Sequence, residues 1–168
     1  MQQNFKFWIA FLLLVAVVRL PAHAQADPTS RSLNQPVEPY RIVGNIYYVG
    51  ASDVTSYLIT TPEGHILLDG GYVETAPMIE ANLKKLGFKL ADVKILLSSH
   101  AHFDHVGGLA ELKRRTGAKF AASERDAPLL ARGGKGDFLF ETLMPQAAPE
   151  KGENSVGAAL CGRPGRGA

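Results

Sequence analysis

The residues His100-Ala101-His102-Phe103-Asp104-His105 put three imidazoles and one carboxylate into six consecutive positions, immediately after the apolar run Val93–Leu97 and the pair Ser98-Ser99. Packing does not account for this cluster, because ionisable groups crowded at the end of an apolar segment cost free energy unless they bind something. The segment is therefore read as a strand that delivers its C-terminal end to a site. Gly107-Gly108 follows at once and relieves the crowding where the loop must turn sharply into the next element. That element has a helical pattern, with Leu109 and Leu112 set among charged residues and Gly117 as its stop. A strand, a donor-rich loop and a helix in succession commit this part of the chain to an α/β fold.

The flanking sequence agrees. Arg41–Val49 alternates around Gly44 and is rich in Ile, Val and Tyr; Thr55–Thr60 follows, and Pro62-Glu63-Gly64 joins it to His65–Leu68, a pattern that predicts a β-meander. In a strand, one of Tyr47 and Tyr48 faces the core and the other the surface, although either could line a cleft. After Asp69-Gly70-Gly71 the apolar period lengthens through Ala76, Ile79, Leu83 and Leu86 to Gly87, which predicts a helix over Val73–Leu86. Ala118–Ala122 reads as a further strand, and Ser123 with Asp126 as the start of another helix. The expected architecture is layered, with sheet faces covered by helices.

Lys6, the apolar run Phe7–Val18 and the small residues around Ala22, Ala24 and Ala26 have the pattern of a secretory signal peptide over residues 1–26. The apolar run of 12 residues is short for a bilayer span, so no stable membrane anchor is expected and the location is periplasmic or secreted. Residues 27–40, with Pro28, Pro36 and Pro39, read as an extended lead-in. The formal net charge of +2 is carried by Lys6 and Arg19 of the export segment, which leaves the remainder neutral and gives no electrostatic case for nucleic acid. Lys113-Arg114-Arg115 is a solvated helix face. Cys161, the only cysteine, has no partner for an internal disulfide and reads as an incidental thiol.

Imidazole nitrogen and carboxylate oxygen together suit Zn²⁺, so His100, His102, Asp104 and His105 are the expected metal ligands. Alternating histidines in an extended loop could converge on one ion while Asp104 and His105 turn toward a neighbour. Two ions about 3.5–4 Å apart could then share a hydroxide made acidic enough to exist near neutral pH. Asp104 is the expected catalytic residue, ligating one ion while orienting the nucleophile and relaying its proton. Asp69 ends an apolar strand before two glycines and could support the metal loop by hydrogen bonding, or serve as a plain turn or capping aspartate. His65, at a turn exit, reads as structural.

The His-x-His-x-Asp-His loop resembles the signature of the metallo-beta-lactamase superfamily. Gly44–Gly50, Ser56–Gly71 and Ser99–Gly108 are similar to subclass B3 metallo-beta-lactamases, and the resemblance spans roughly Tyr40–Phe138. It implies an exported enzyme with two zinc ions that hydrolyses the β-lactam amide, carbapenems included, on an αβ/βα sandwich. By the same resemblance, His100 and His102 match ligands of the first zinc, Asp104 and His105 match ligands of the second, and Asp69 matches a supporting acid. The remaining histidine ligands lie in the family's C-terminal half, whereas no histidine follows His105 here. From about Glu141 a tail punctuated by Gly152, Gly157, Gly162, Gly165 and Gly167 departs from the family pattern.

The resulting expectation is an incomplete N-terminal half-sandwich over residues 41–140, with a divergent, disordered tail over 141–168. Its uncovered sheet face and unpaired edge would favour self-association. β-Lactam hydrolysis is then the family-level function, impaired or absent in this chain. The alternatives are another hydrolase of this fold acting on a thioester, lactone or phosphoester, or an inert zinc-binding fragment.

Overall fold

The computed structural model describes residues 32–131. The expected export segment, the tail from Glu141 and Cys161 lie outside the described residues, as do residues 27–31 of the lead-in. Among the described residues, six strands form one sheet whose spatial order is the order of the chain. β1 (Tyr40–Val43), β2 (Ile46–Tyr48), β3 (Tyr57–Ile59) and β4 (His65–Leu68) pair antiparallel in succession. β5 (Val93–Leu97) and β6 (Lys119–Ala121) then add in parallel beside β4. The expected meander is present, but its first run is two strands, because Gly44 adopts a φ of 54° and reverses the chain there.

Each parallel step needs a crossover, and helices supply it. A 3₁₀ turn at Val73–Thr75 leads into α1 (Ala76–Lys85), where Pro77 occupies the first turn, a position that tolerates its missing N–H. The second crossover contains α2 (Phe103–Val106) and α3 (Leu109–Thr116). Gly117 ends α3 in the left-handed conformation at φ 68°, as its position in the sequence predicts. Ser123 caps the start of α4 (Ala127–Ala131): its Oγ accepts the Asp126 N–H at 3.1 Å and donates to Asp126 Oδ2 at 2.8 Å.

One sheet face is closed. Leu58, Leu67, Val93 and Leu96 pack against Ala76, Ile79 and Leu83 of α1 and Leu109 and Leu112 of α3, all fully buried. Tyr47 joins this side against the edge of Phe88, while Tyr48 points the other way between Tyr40 and Tyr57, with its hydroxyl on the Ala51 carbonyl. The expected division of the two tyrosines between faces is what the structure contains. His65 also contacts Phe88, ring to ring at 5.4 Å, and its Nδ1 accepts the Thr61 N–H at 3.4 Å, a structural setting. Among the described residues, large apolar side chains exposed outside the core include Tyr40, Ile42, Val43 and Ile95. The result is a mixed α/β layer resembling an incomplete αβ/βα sandwich with an unclosed sheet.

The basic run on α3 is solvated and paired. Arg114 meets Glu111 one turn away, and Arg115 reaches Glu80 on α1. No helix among the described residues is long and apolar enough to cross a membrane.

Candidate metal centre

β4 and β5 are parallel neighbours, so their C-terminal ends deliver Asp69 and Ser98–His100 to the same edge of the sheet. Asp69 leaves β4 with a φ of 61°, the only non-glycine positive φ among the described residues. That conformation costs about 1 kcal/mol for an L-residue, although aspartate tolerates it better than most. The return is reach. The Asp69 side chain, 3% exposed, accepts the Ser99 N–H on Oδ1 at 2.8 Å and the Ser99 hydroxyl on Oδ2 at 2.6 Å. Oδ2 also accepts His105 Nδ1–H at 2.9 Å. Asp69 is thus tied to both ends of the donor loop.

The glycines have a different role from the expected one. Gly107 and Gly108 have φ values of −52° and −78°, which any residue adopts, so a sharp turn does not require them. Close backbone approach does. A Cβ on Gly108 would stand 2.3 Å from the Gly70 carbonyl oxygen, one on Gly107 2.8 Å from the Val73 nitrogen, and one on Gly70 2.8 Å from the Leu109 nitrogen. The two glycine pairs let residues 69–71 and 105–108 touch backbone to backbone. Gly70 N–H donates to the His105 carbonyl at 2.7 Å, Gly108 N–H donates to the Gly71 carbonyl at 3.1 Å, and Gly71 bridges to Val106.

The loop itself is less extended than expected. His102 has extended backbone angles, but Phe103–Val106 turn into α2, and the N–H groups of His105 and Val106 donate to the His102 carbonyl. This helical turn folds Asp104 and His105 back over His100. His100, Asp104 and His105 each offer one ligand atom, and these atoms lie within 4.8 Å of one another. His102 is not part of that group, although its ring centre lies 4.5 Å from that of His100. Among the described residues, the geometry therefore gathers one three-donor group, drawn from both expected pairs of ligands.

The donor chemistry fits a metal ion. With His105 Nδ1–H committed to Asp69, its Nε2 is left as the donor, and it stands 3.6 Å from Asp104 Oδ2. Burial depresses the His100 pKa, and the nearby His105 and His102 reinforce the effect against the opposing pull of Asp104 and Asp69. Burial also disfavours the charged form of His105, but the Asp69 hydrogen bond and the carboxylates of Asp104 and Asp69 outweigh it and raise its pKa. Two imidazoles and a carboxylate, partly buried at a strand end, suit Zn²⁺ better than hard cations that prefer oxygen.

Known proteins match this region. The Metallo-beta-lactamase superfamily profile aligns with residues 49–165. Among solved structures, a metallo-beta-lactamase of Cronobacter sakazakii with a HARLDQ motif is 44% identical with a TM-score of 0.64, covering 67% of this chain and 43% of its own. A subclass B3 metallo-beta-lactamase of Bradyrhizobium japonicum is 49% identical with a TM-score of 0.58, covering 61% of this chain and 38% of its own. A UPF0173 metal-dependent hydrolase of Anaeromyxobacter sp. (strain K) is 37% identical over 90 residues, which are 50% of this chain and 32% of that protein. A hydroxyacylglutathione hydrolase of Rhodopseudomonas palustris is 44% identical over 64 residues, covering 38% of this chain and 24% of its own. An N-acyl homoserine lactonase of Rhizobium johnstonii is 32% identical over 85 residues, covering 38% of this chain and 32% of its own. The chain spans less than half the length of each of these proteins. With the profile match taking in well over half of the chain and the donor loop sitting where the sheet ends, the chain belongs to the metallo-beta-lactamase superfamily.

Proposed function

We propose that this chain carries the metal-holding part of a metal-dependent hydrolase that cleaves an acyl bond of the lactone or thioester type. The observation that carries the reading is the convergence of His100, Asp104 and His105 within 4.8 Å, with His105 oriented by a buried carboxylate. Zinc bound there would supply a Lewis acid for the acyl oxygen and a water acidic enough to attack near neutral pH. The chain's own groups account for the rest. His100, His105 and one oxygen of Asp104 would hold the ion, and Asp69 keeps the His105 ring from rotating away. The Asp104 side chain, 36% exposed, is open to solvent and to substrate, so its second carboxylate oxygen can orient the attacking water, accept its proton and pass that proton to the departing group. The breadth of this reading follows from the curated relatives, which include a lactonase, a glutathione-thioester hydrolase and a general metal-dependent hydrolase.

Hydrolysis of the β-lactam amide, in the manner of subclass B3, is the second reading. The high identity to solved metallo-beta-lactamases supports it. Two zinc ions with His102 as an additional ligand belong to that reading, and so does export through residues 1–26. The sequence holds no histidine after His105. A second ion would need donors beyond the three gathered here, and we expect little β-lactam turnover from the 168-residue chain.

The test is to purify the 168-residue chain, measure its zinc stoichiometry, and assay an acyl homoserine lactone, a glutathione thioester, a penicillin and a carbapenem beside Asp104→Ala. We expect about one zinc per chain, lost in the variant. Turnover of the lactone or thioester above the β-lactams would support the first reading, and the reverse order the second. Zinc uptake with no turnover of any of the four would leave a metal-binding fragment. Equal metal content in the chain and the Asp104→Ala variant would refute the site.

A further inference from the structure

The geometry points to Ser99 as a positioning residue that fixes the tautomer of His100, so that one buried carboxylate orients two imidazoles, His105 directly and His100 through the Ser99 hydroxyl. This inference rests on the metal-centre reading above and assigns a role to a residue outside the ligand loop. The hydroxyl of Ser99 has one proton to donate and lone pairs to accept with. Its proton is committed, because Asp69 Oδ2 lies at 2.6 Å, a length characteristic of a hydroxyl donating to an ionised carboxylate. Toward its other neighbours Ser99 Oγ can then only accept. Those neighbours are two ring nitrogens, His100 Nδ1 at 3.1 Å and His105 Nδ1 at 3.4 Å.

His105 Nδ1 has the shorter contact of 2.9 Å to Asp69 Oδ2 and spends its proton there. His100 Nδ1 is left to fill the acceptor position on Ser99, which it does only as Nδ1–H. The lone pair of His100 then sits on Nε2, as it does in His105, and both rings present the same atom as metal donor. The local main chain is held for this purpose. Ser99 N–H donates to Asp69 Oδ1 at 2.8 Å, and Ser98 Oγ donates to the His100 carbonyl at 2.6 Å. Ser99 is itself exposed and contributes nothing to the core, so packing does not explain a hydroxyl at this position.

The chain labelled with ¹⁵N at histidine gives a readout independent of activity. In the metal-free protein, at a pH where both rings are neutral, we expect His100 protonated at Nδ1 in the unmodified chain and in Ser99→Thr, which keeps the hydroxyl. Ser99→Ala should shift the proton toward Nε2. Zinc affinity, measured by competition with a chelating dye, should fall about 10–100-fold in Ser99→Ala and be recovered in Ser99→Thr. His100 protonated at Nε2 in the unmodified chain would overturn the inference, and so would a Ser99→Ala variant matching the unmodified chain in both ring shifts and zinc affinity. Should Ser99→Ala not fold, the tautomers of the unmodified chain and Ser99→Thr decide. Asp104→Ala serves as the separate control: if it binds zinc as the unmodified chain does, the metal centre is refuted, while the tautomer measurement still judges Ser99.

Discussion

Asp69→Asn changes one atom and should disorder the whole donor group. The amide oxygen can still accept the Ser99 N–H, and asparagine tolerates a φ of 61° as readily as aspartate, so the backbone gives no reason for the variant to fail. The other carboxylate oxygen becomes an NH₂, which donates where Asp69 Oδ2 accepts from Ser99 Oγ and His105 Nδ1. His105 must then accept at Nδ1 and carry its proton on Nε2, the atom needed for the metal. Hydrogen bonds to a charged group contribute about 1.5–3 kcal/mol each and neutral ones about 1 kcal/mol. All three bonds to the carboxylate, including the one from Ser99 N–H, lose the charge, and exchanging three of the first kind for three of the second should cost the metal-free fold about 4 kcal/mol. Solvent screening does little to soften this, because the Asp69 side chain is only 3% exposed. Loss of such a supporting carboxylate lowers metal affinity about 10–100-fold, and with both rings disturbed the upper end is expected. Urea unfolding of the metal-free chain and dye competition for zinc measure the two effects separately. A variant that binds zinc as tightly as the unmodified chain would refute the argument that Asp69 sets the donor atoms, whatever its stability.

Gly108→Ala should cost about 1–3 kcal/mol and weaken zinc binding, since its Cβ meets the Gly70 carbonyl at 2.3 Å. Gly87→Ala, at φ 84° with no atom near its Cβ, should lose only about 1 kcal/mol to backbone strain and leave zinc affinity unchanged; denaturant unfolding and dye competition compare the two. Leu96→Ala, fully buried between β5 and the helices, should lose about 2–5 kcal/mol. Ile95→Ala, its neighbour on the opposite face and 38% exposed, should lose clearly less by the same unfolding measurement, and equal losses would mean that this face too is covered. Zinc should outcompete magnesium at equal free concentration, and retention of magnesium equal to that of zinc in equilibrium dialysis would count against two imidazoles as donors.

Much of the layer was legible because its signals are local. The apolar periods of Ile79, Leu83 and Leu86 and of Leu109 and Leu112, the stop at Gly117 and the cap at Ser123 each act within a turn or two of chain. The donor loop was legible as chemistry but not as shape. Nothing in six consecutive residues reveals that Phe103–Val106 coil into a helical turn, because what stabilises that turn is its contact with residues 69–71, more than 30 positions away. The same distance hid the purpose of Gly107 and Gly108. A glycine needed for its φ and a glycine needed for close approach are identical in sequence, and only the Gly70 carbonyl facing Gly108 distinguishes them. Ser99 carried no signal at all, since a hydroxyl's partners depend on where the neighbouring strand ends.

The identity of strand order and chain order also bears on how the molecule is made. From β2 onward, each strand leaves the ribosome with one sheet neighbour already synthesised. The meander closes through short turns, and only the two steps through α1 and through α2 and α3 must bring together residues separated by a longer excursion. Asp69 emerges before the second of these steps begins. When Ser99 and His105 arrive, the acid that orients them already stands at the end of a synthesised strand, so the donor group meets its orienting carboxylate as soon as β5 pairs with β4, with α3 and β6 still to follow.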